Sequence, residues 1–287
     1  MSRFEYVRAT SLEQAVRLIN EPAYKNKLLS GGTDVLAYLH YEEPAFNRVV
    51  DISLLPDLKI IERRGDEIVL GAGVSFAEAA ESKLLQEAAP FLVEACRTVG
   101  SPQIRNLGTL GGNVVNAAAC ADSLPVLVCL EAVAYLKGAQ GERVVPVTEL
   151  VLGPNHTQIQ PGELLTHFTF AAPSPKVRTA FIKLGRRKAQ SISRLTMAAM
   201  GRVDASGLVD IIRITPGAAT SQTVRFTRGE AMLMGKPPTP ELIHTAAQEV
   251  SNEMIAYTGK RWSTEYKAPV VSTLAERVLT RVFNPPA

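Results

Sequence analysis

Apolar and polar positions change their spacing repeatedly over the first half of the chain, which predicts short helices and strands following one another. Leu12, Ala15 and Val16 follow helical spacing, and Ser11 with Gln14 has the form of a capping box. Runs of apolar residues bounded by turn residues predict strands. Predicted helices cover 10–20, 35–40, 90–98 and 123–131, with a short one from 75, and predicted strands cover 27–30, 48–52, 58–61, 67–70, 132–137 and 143–147.

A stretch with two prolines, 171–176, interrupts this pattern and is typical of a linker. Beyond it the order changes, because predicted strands come first and predicted helices follow. The strands are predicted over 180–185, 195–203 and 208–216, and the helices over 221–234, 240–250 and 264–283. Strands followed by helices predict a compact α+β unit. We therefore predict two domains, residues 1–176 and 177–287.

Composition narrows the class of protein without indicating its chemistry. The 287 residues are 46% hydrophobic and 21% charged, which is ordinary for a folded protein and excludes disorder as the main state. No apolar run approaches the ~20 residues of a membrane helix, and the first residues lack the apolar segment of a secretion signal. The net charge of +3 is too small to indicate nucleic acid as a partner.

The cysteines Cys96, Cys120 and Cys129 are widely spaced and form no CxxC motif. A zinc site or an iron–sulfur cluster held by this chain alone has no support in the sequence, so no metal ligand is predicted. Cys96 and Cys129 lie in apolar helical patterns, where a thiol is usually a small core residue. Free thiols indicate a reducing compartment, so we expect a cytoplasmic protein.

The first stretch that could carry chemistry is 28–35, where an apolar strand ends in Gly31 and Gly32. Two glycines at such a turn let backbone N–H groups approach an anion, and the start of the following helix favours negative charge. A phosphate group is the natural ligand. The alternative is a tight strand-to-helix turn in which Thr33 or Asp34 caps the helix.

A second glycine-rich stretch, 108–113, adds Thr109 and Asn113 as side chains that can hydrogen-bond to phosphate. It matches neither a Walker P-loop nor a Rossmann turn. Two such turns, far apart in the chain, could hold one long ligand from two sides, and a dinucleotide is such a ligand. Asp122 stands just before an apolar helix, where a carboxylate either serves the ligand or only complements the helix dipole.

A basic segment, 176–194, contains seven Lys or Arg residues and no acidic one. A solvated face or a surface for a protein partner is the simplest interpretation. Nucleic acid fits less well, because Phe181 is the one aromatic residue among these cations. Lys183 could instead stabilise negative charge on a reduced flavin, which is an electrostatic role.

Two motifs, SGGTDVL at 30–36 and SPQIRNLGTLGGNVVNAAACADSLPVL at 101–127, together resemble the FAD-binding medium subunit of the molybdenum hydroxylases. Xanthine dehydrogenase and carbon monoxide dehydrogenase belong to that family. FIKLGRRKAQSISR at 181–194 and RWSTEYKAPVVSTLAERVL at 261–279 resemble its later landmarks, so the resemblance spans nearly the whole chain. Ser191-Ile192-Ser193 departs from it, because many relatives carry Asp-Phe-Ala or Asp-Ile-Ala there.

The resemblance implies an α+β fold: a vanillyl-alcohol-oxidase (PCMH)-type FAD-binding domain of two α/β lobes, then a C-terminal α+β domain with a three-stranded antiparallel sheet. It implies FAD as the cofactor and no side chain acting as a catalytic acid or base. The residues that it places around FAD are Leu28, Leu29, Ser30, Gly31, Gly32, Thr33, Asp34, Val35, Thr109, Gly112, Asn113, Asp122, Leu165 and Lys183. Among them, Asp122 would hydrogen-bond the cofactor, and Leu165 and Lys183 would lie near the isoalloxazine ring.

The implied activity is electron transfer within an oxidoreductase complex. A large subunit that binds the molybdenum cofactor would oxidise the substrate, and a small subunit with [2Fe–2S] clusters would pass electrons to the flavin subunit. That subunit would deliver them to NAD⁺, a quinone, oxygen or another acceptor. A dimer of heterotrimers is the expected assembly. Two alternatives stay open: a stand-alone FAD-dependent oxidoreductase of the same fold, and a non-catalytic binding protein that has lost the flavin.

Overall fold

The computed structural model describes residues 4–284, and its first part is a small α/β lobe. The lobe consists of β1 (Glu5–Arg8), α1 (Leu12–Ile19), β2 (Asn26–Leu29), α2 (Val35–Tyr41) and β3 (Arg48–Asp51). Its strands pair in parallel in the order β1-β3-β2, so β3 is central and wholly buried. Helix α1 packs its apolar face inward, because Ala15, Val16 and Leu18 fall on one side of the helix and are buried.

The second lobe contains a five-stranded antiparallel sheet and the helices that cover it. After a 3₁₀ turn at Pro56–Leu58, its elements are β4 (Ile61–Arg64), β5 (Glu67–Gly71), α3 (Phe76–Glu81), α4 (Lys83–Ala88), α5 (Pro90–Thr98), α6 (Pro102–Leu107), α7 (Leu110–Asn116), α8 (Ser123–Cys129), β6 (Val133–Gly138), β7 (Gly141–Pro146), α9 (Val147–Leu150), β8 (Val151–Gly153), β9 (His156–Thr157) and β10 (Leu164–Ala171). The sheet order β4-β5-β10-β6-β7 places β10 at the centre. A core that includes Phe91, Leu127 and Phe168 joins this sheet to α5 and α8.

The third part is a three-stranded antiparallel sheet with helices against it. Its elements are β11 (Arg178–Gly185), β12 (Ser193–Val203), β13 (Val209–Gly217), α10 (Thr227–Leu233), α11 (Pro240–Thr258) and α12 (Thr264–Phe283). The order is β11-β12-β13, as the family resemblance implies. Met197 and Ile214 of the sheet share a core with Val250 and Leu274 of the helices. Amphipathic helices therefore bury this sheet, as the order of strands before helices predicts.

Packing is continuous between the second lobe and the third part. Phe181, Ala198 and Met200 of β11 and β12 belong to the same core as α5 and α8. The backbone N–H of Phe181 also donates to Glu94 Oε2 at 3.1 Å. A domain boundary near residue 176 therefore stays a prediction, because the chain changes its element order there without a break in the core.

Several predicted bounds need correction. Helices α5 and α12 begin and end where predicted, and Ser75 forms a full capping box with Glu78. The strand predicted over 58–61 is misplaced, because Leu58 ends the 3₁₀ turn and β4 begins at Ile61. The helix predicted over 221–234 is confined to α10, and α11 continues eight residues beyond its predicted end, to Thr258.

The main element that sequence reasoning missed is β10. It pairs with β5 on one side and with β6 on the other, and nearly all of its residues are buried. Its sequence therefore lacks the alternation of apolar and polar residues that identifies a strand with one solvent-exposed face. The second glycine-rich stretch, 108–113, is predicted as a turn but includes the first part of α7, and α6, which was not predicted, directly precedes it. Every helix within residues 4–284 is too short or too polar to span a lipid bilayer.

Candidate functional site

Both glycine-rich stretches line one cavity of about 360 Å³, to which the two lobes contribute. The first stretch lies between β2 and α2, and the second leads into α7. The predicted site residues that line the cavity are Leu28, Ser30, Gly31, Gly32, Thr33, Asp34, Val35, Thr109, Gly112, Asn113 and Leu165. The structure thus brings together the two turns that a two-sided grip on one ligand requires.

Two side-chain contacts hold these turns against each other. The hydroxyl oxygens of Ser30 and Thr109 are 3.2 Å apart. Asn116 Nδ2 donates to Asp34 Oδ1 at 3.0 Å. Each contact joins a residue of the first lobe to a residue at α7, so polar side chains link the two lobes beside the cavity.

The first turn offers backbone donors to the cavity. Within residues 4–284, the N–H groups from Gly31 to Asp34 have no acceptor in the protein, and these residues line the cavity. Gly32 has φ of +72°, which glycine adopts at little cost. Asp34 precedes α2, but its side chain makes no capping hydrogen bond, so the alternative of a side-chain-capped turn is not what the structure shows. Unpaired N–H groups on a concave surface fit an anionic oxygen.

The second turn differs, because most of its backbone donors are already paired, and the Thr109 N–H is the exception among the described residues. Thr109 Oγ1 accepts from the Gly112 N–H at 3.0 Å. The N–H groups of Leu110 and Gly111 donate to carbonyl oxygens of the loop after β5. This turn can therefore offer a ligand the Thr109 N–H and, among its side chains, the amide of Asn113, whose Nδ2 has no acceptor among the described residues.

Apolar side chains form much of the remaining cavity wall. Ile52, Leu58, Phe76 and Leu164 line it beside Leu165. Such a wall suits a planar aromatic group, since ligand pockets pair apolar surface with a few placed polar groups. Sequence reasoning missed the first four of these residues, because an apolar residue that faces a cavity has the same pattern as one that faces the core.

Three polar residues of the cavity wall were also missed: Lys27, Asn116 and Asn155. Asn116 comes three residues after Asn113 on α7, so helical spacing is the signal that could have identified it. Asn155 has φ of 54° and its N–H donates to the Ala117 carbonyl at 2.8 Å, which fixes the loop between β8 and β9 against the end of α7. That contact joins elements far apart in sequence, so no local pattern predicts it.

Leu29, Asp122 and Lys183 do not line the cavity. Lys183 Nζ donates to Asp122 Oδ2 at 2.6 Å and to the Thr98 carbonyl at 2.9 Å, and Ser193 Oγ donates to Asp122 Oδ1. The ion pair is buried, with 6% of the Asp122 side chain and 11% of the Lys183 side chain exposed. Burial raises the pKa of Asp122, and the Lys183 ammonium opposes that rise. Contacts of these two residues with the cofactor stay predictions.

The departure at Ser191-Ile192-Ser193 has a structural counterpart in the loop from β11 to β12. Gly185 pairs with Ser193 where the loop begins and ends. Ser191 Oγ accepts from the Arg186 N–H at 2.9 Å. Hydroxyl groups therefore close this loop at the position where the family resemblance leads us to expect a carboxylate, and Ser193 in addition ties the loop to the buried ion pair.

Comparison with known protein families identifies the fold. The family of the FAD binding domain in molybdopterin dehydrogenase matches residues 2–173. The chain belongs to this flavoprotein family. The CO dehydrogenase flavoprotein C-terminal domain matches residues 180–282. FAD is therefore the cofactor of the chain, which is a flavoprotein subunit of the molybdenum hydroxylase family and an oxidoreductase, as the sequence motifs predict.

Relatives and a solved structure agree with this assignment. The xanthine dehydrogenase FAD-binding subunit of Escherichia coli O157:H7 is 30% identical over 96% of this chain and 94% of its own length. The carbon monoxide dehydrogenase medium chain of Hydrogenophaga pseudoflava is 27% identical over 98% of this chain and 97% of its own. A structure of Hydrogenophaga pseudoflava carbon monoxide dehydrogenase that lacks the Mo-pyranopterin moiety matches with a TM-score of 0.90 over 100% of this chain and 99% of that chain, at 27% identity. The predicted fold class is confirmed.

Proposed function

We propose that the cavity between the two lobes holds FAD and that the chain serves as the electron-transfer subunit of a molybdenum-dependent dehydrogenase. The observation that supports this most directly is the row of unpaired N–H groups from Gly31 to Asp34, which faces the same cavity as the Asn113 amide. A pyrophosphate needs donors of this kind on more than one side. Bound FAD supplies chemistry that no side chain has, the exchange between one-electron and two-electron transfer.

The residues of the chain divide the work of holding the cofactor. The N–H groups of the first turn and the Asn113 amide would bind the phosphate oxygens, with Thr109 fixing the second turn. Leu165 and the apolar wall around it would pack on the ring system and exclude water. Leu29, which does not line the cavity, would support the first turn from the side away from the cofactor. Asp122 and Lys183 would act near the flavin as a buried pair whose charges nearly balance.

The proposed partners follow from the names of the relatives. The curated relatives are an FAD-binding subunit and a medium chain, which are names for parts of larger assemblies. We infer a large subunit with the molybdenum cofactor and a small [2Fe–2S] subunit that supplies electrons, assembled as a dimer of heterotrimers in the cytoplasm. NAD⁺, a quinone, oxygen or another acceptor would receive the electrons. Residues 1–176 would form the FAD-binding domain, and residues 177–287 the C-terminal domain of the flavoprotein.

The visible spectrum of the purified chain tests the cofactor site. We expect flavin absorption bands, and release of AMP from the extracted cofactor by phosphodiesterase. An Asn113→Asp variant should lose most of its flavin, because a carboxylate in the cavity repels phosphate. A colourless chain that cannot be reconstituted with FAD would contradict the proposal.

Copurification tests the partner assignment. When the chain is isolated from its native cells under mild conditions, we expect molybdenum and iron to copurify with it in a fixed ratio to flavin. A substrate of the complex should then reduce the flavin, whereas the isolated chain with FAD should not react with that substrate. A flavin-loaded chain that turns over a substrate without iron or molybdenum would indicate a stand-alone oxidoreductase instead.

A further inference from the structure

A buried hydroxyl outside the cavity fixes one of the amides that line it. Ser123, the first residue of α8, has 1% of its surface exposed, and its Oγ donates to Asn113 Oδ1 at 2.7 Å. Asn113 lies on α7 and lines the cavity, whereas Ser123 does not. We propose that Ser123 is a positioning residue that holds the Asn113 amide with its nitrogen toward the bound cofactor. This inference rests on the proposed FAD site.

The argument depends on the two ends of a carboxamide, which have opposite chemistry. The oxygen accepts hydrogen bonds and the nitrogen donates two. A phosphate oxygen next to Asn113 is an acceptor, so only the nitrogen end of the amide stabilises it. Because the Ser123 hydroxyl engages the amide oxygen, the nitrogen is left for the ligand, and no acceptor among residues 4–284 competes for it. Without the hydroxyl, the amide could rotate and present its oxygen to the phosphate.

The position of Ser123 is itself secured by the residue before it. Asp122 uses one carboxylate oxygen for Lys183 and the other for Ser193, so the start of α8 is fixed to both β11 and β12. None of these three residues lines the cavity between the two lobes. The second half of the chain thereby contributes to the orientation of a cavity side chain, through Asp122 and Ser123, without reaching the cavity.

A titration of the flavin-depleted chain with FAD tests the proposal without any assay of turnover. Quenching of flavin fluorescence measures the binding. We expect Ser123→Ala to weaken FAD binding about fivefold, which is the usual size of one net hydrogen bond. Ser123→Thr keeps the hydroxyl and should restore most of the affinity. Ser251→Ala is the matched control, because Ser251 is also buried and its Oγ donates to the Ala268 carbonyl at 2.7 Å, and neither of these residues lines the cavity.

A double-mutant cycle separates positioning from simple packing. In an Asn113→Ala background, Ser123→Ala should cause no further loss of FAD affinity, because the amide that it orients is gone. An equal loss in both backgrounds, or unchanged affinity in Ser123→Ala alone, would overturn the inference while leaving the proposed function intact. A wild-type chain that binds no FAD would overturn both. The free energy of unfolding of each flavin-free variant shows whether that variant is folded. We expect Ser123→Ala to fold, because alanine is well tolerated in a helix.

Discussion

Gly31 lies against the carbonyl group of Leu107, and a Cβ atom on residue 31 would be 1.9 Å from that oxygen. The contact joins the turn after β2 to the end of α6, just before the second glycine-rich turn. The atoms that a Cβ would meet are backbone atoms, which cannot rotate away as a side chain could. The absence of a side chain at residue 31 is therefore what lets the two sides of the cavity meet.

Gly31→Ala is expected to separate the two turns and to remove the flavin. The added methyl group must displace either the first turn or the α6 end, at a cost of about 1–3 kcal/mol typical of overpacking. We expect the ratio of FAD to protein after purification to fall at least tenfold. The free energy of unfolding of the flavin-free chain should fall by about 1–3 kcal/mol, the cost of overpacking.

Gly153→Ala provides the control for a glycine-to-alanine change. A Cβ there would meet only the Ser221 carbonyl oxygen, at an ordinary 3.8 Å. The FAD content of this variant should equal that of the unmodified chain. If Gly31→Ala also retained its full FAD content, the close approach of the two turns would have no part in cofactor binding.

Lys183→Met should destabilise the chain strongly, because it leaves the Asp122 carboxylate buried without its counter-ion. Removal of one member of a buried pair typically costs about 3–5 kcal/mol. The double variant with Asp122→Asn should recover a large part of that loss. Lys59→Met is the control, because Lys59 pairs with Glu78 at an exposed site. This change should lower the free energy of unfolding by less than about 1 kcal/mol. Denaturant unfolding of the flavin-free variants measures all of these differences.

The flavin-loaded form of the same chain gives a second measurement. A lysine-to-alanine change at residue 183 is expected to lower the reduction potential of bound FAD, because it removes a positive charge and leaves a negative one at Asp122. Spectroelectrochemical titration of the folded variant checks this. An unchanged potential would show that the ion pair lies too far from the flavin to influence it.

Local sequence patterns predicted the parts of the site that local geometry determines. The paired glycines at residues 31 and 32, and the position of Thr109 at a glycine-rich turn, follow from turn chemistry alone, whereas their contacts with phosphate stay predictions. The pairing of Lys183 with Asp122 could not be predicted, because the two residues are 61 positions apart and meet only when the three-stranded sheet packs against α5 and α8. The contact of Ser123 with Asn113 could not be predicted for the same reason. In the sequence, Ser123 has the pattern of an ordinary residue at the start of a helix.

His167 should make stability depend on pH just below neutrality. Burial lowers the pKa of this histidine below its ordinary 6.5; its ring stacks on Tyr135 at 4.2 Å and its Nδ1 is 2.9 Å from Thr166 Oγ1. The unfolded chain therefore binds a proton more readily than the folded one, so the free energy of unfolding falls as the pH drops below about 6.5, the ordinary pKa of histidine. His167→Gln should remove that part of the pH dependence in denaturant titrations. A variant with the same slope would assign the dependence to other groups.

Thiol reactivity should distinguish Cys120 from the other two cysteines. Burial raises the pKa values of Cys96 and Cys129 to about 12, and both thiols are fully buried, as their apolar helical patterns predict. Cys120 is only half-buried, although burial and the nearby Asp122 charge raise its pKa as well. We expect Ellman's reagent to react slowly with one thiol in the folded chain and with all three after denaturation. Cys120→Ser should abolish the native reaction, and a second thiol that reacts before unfolding would contradict the packing of α5 or α8.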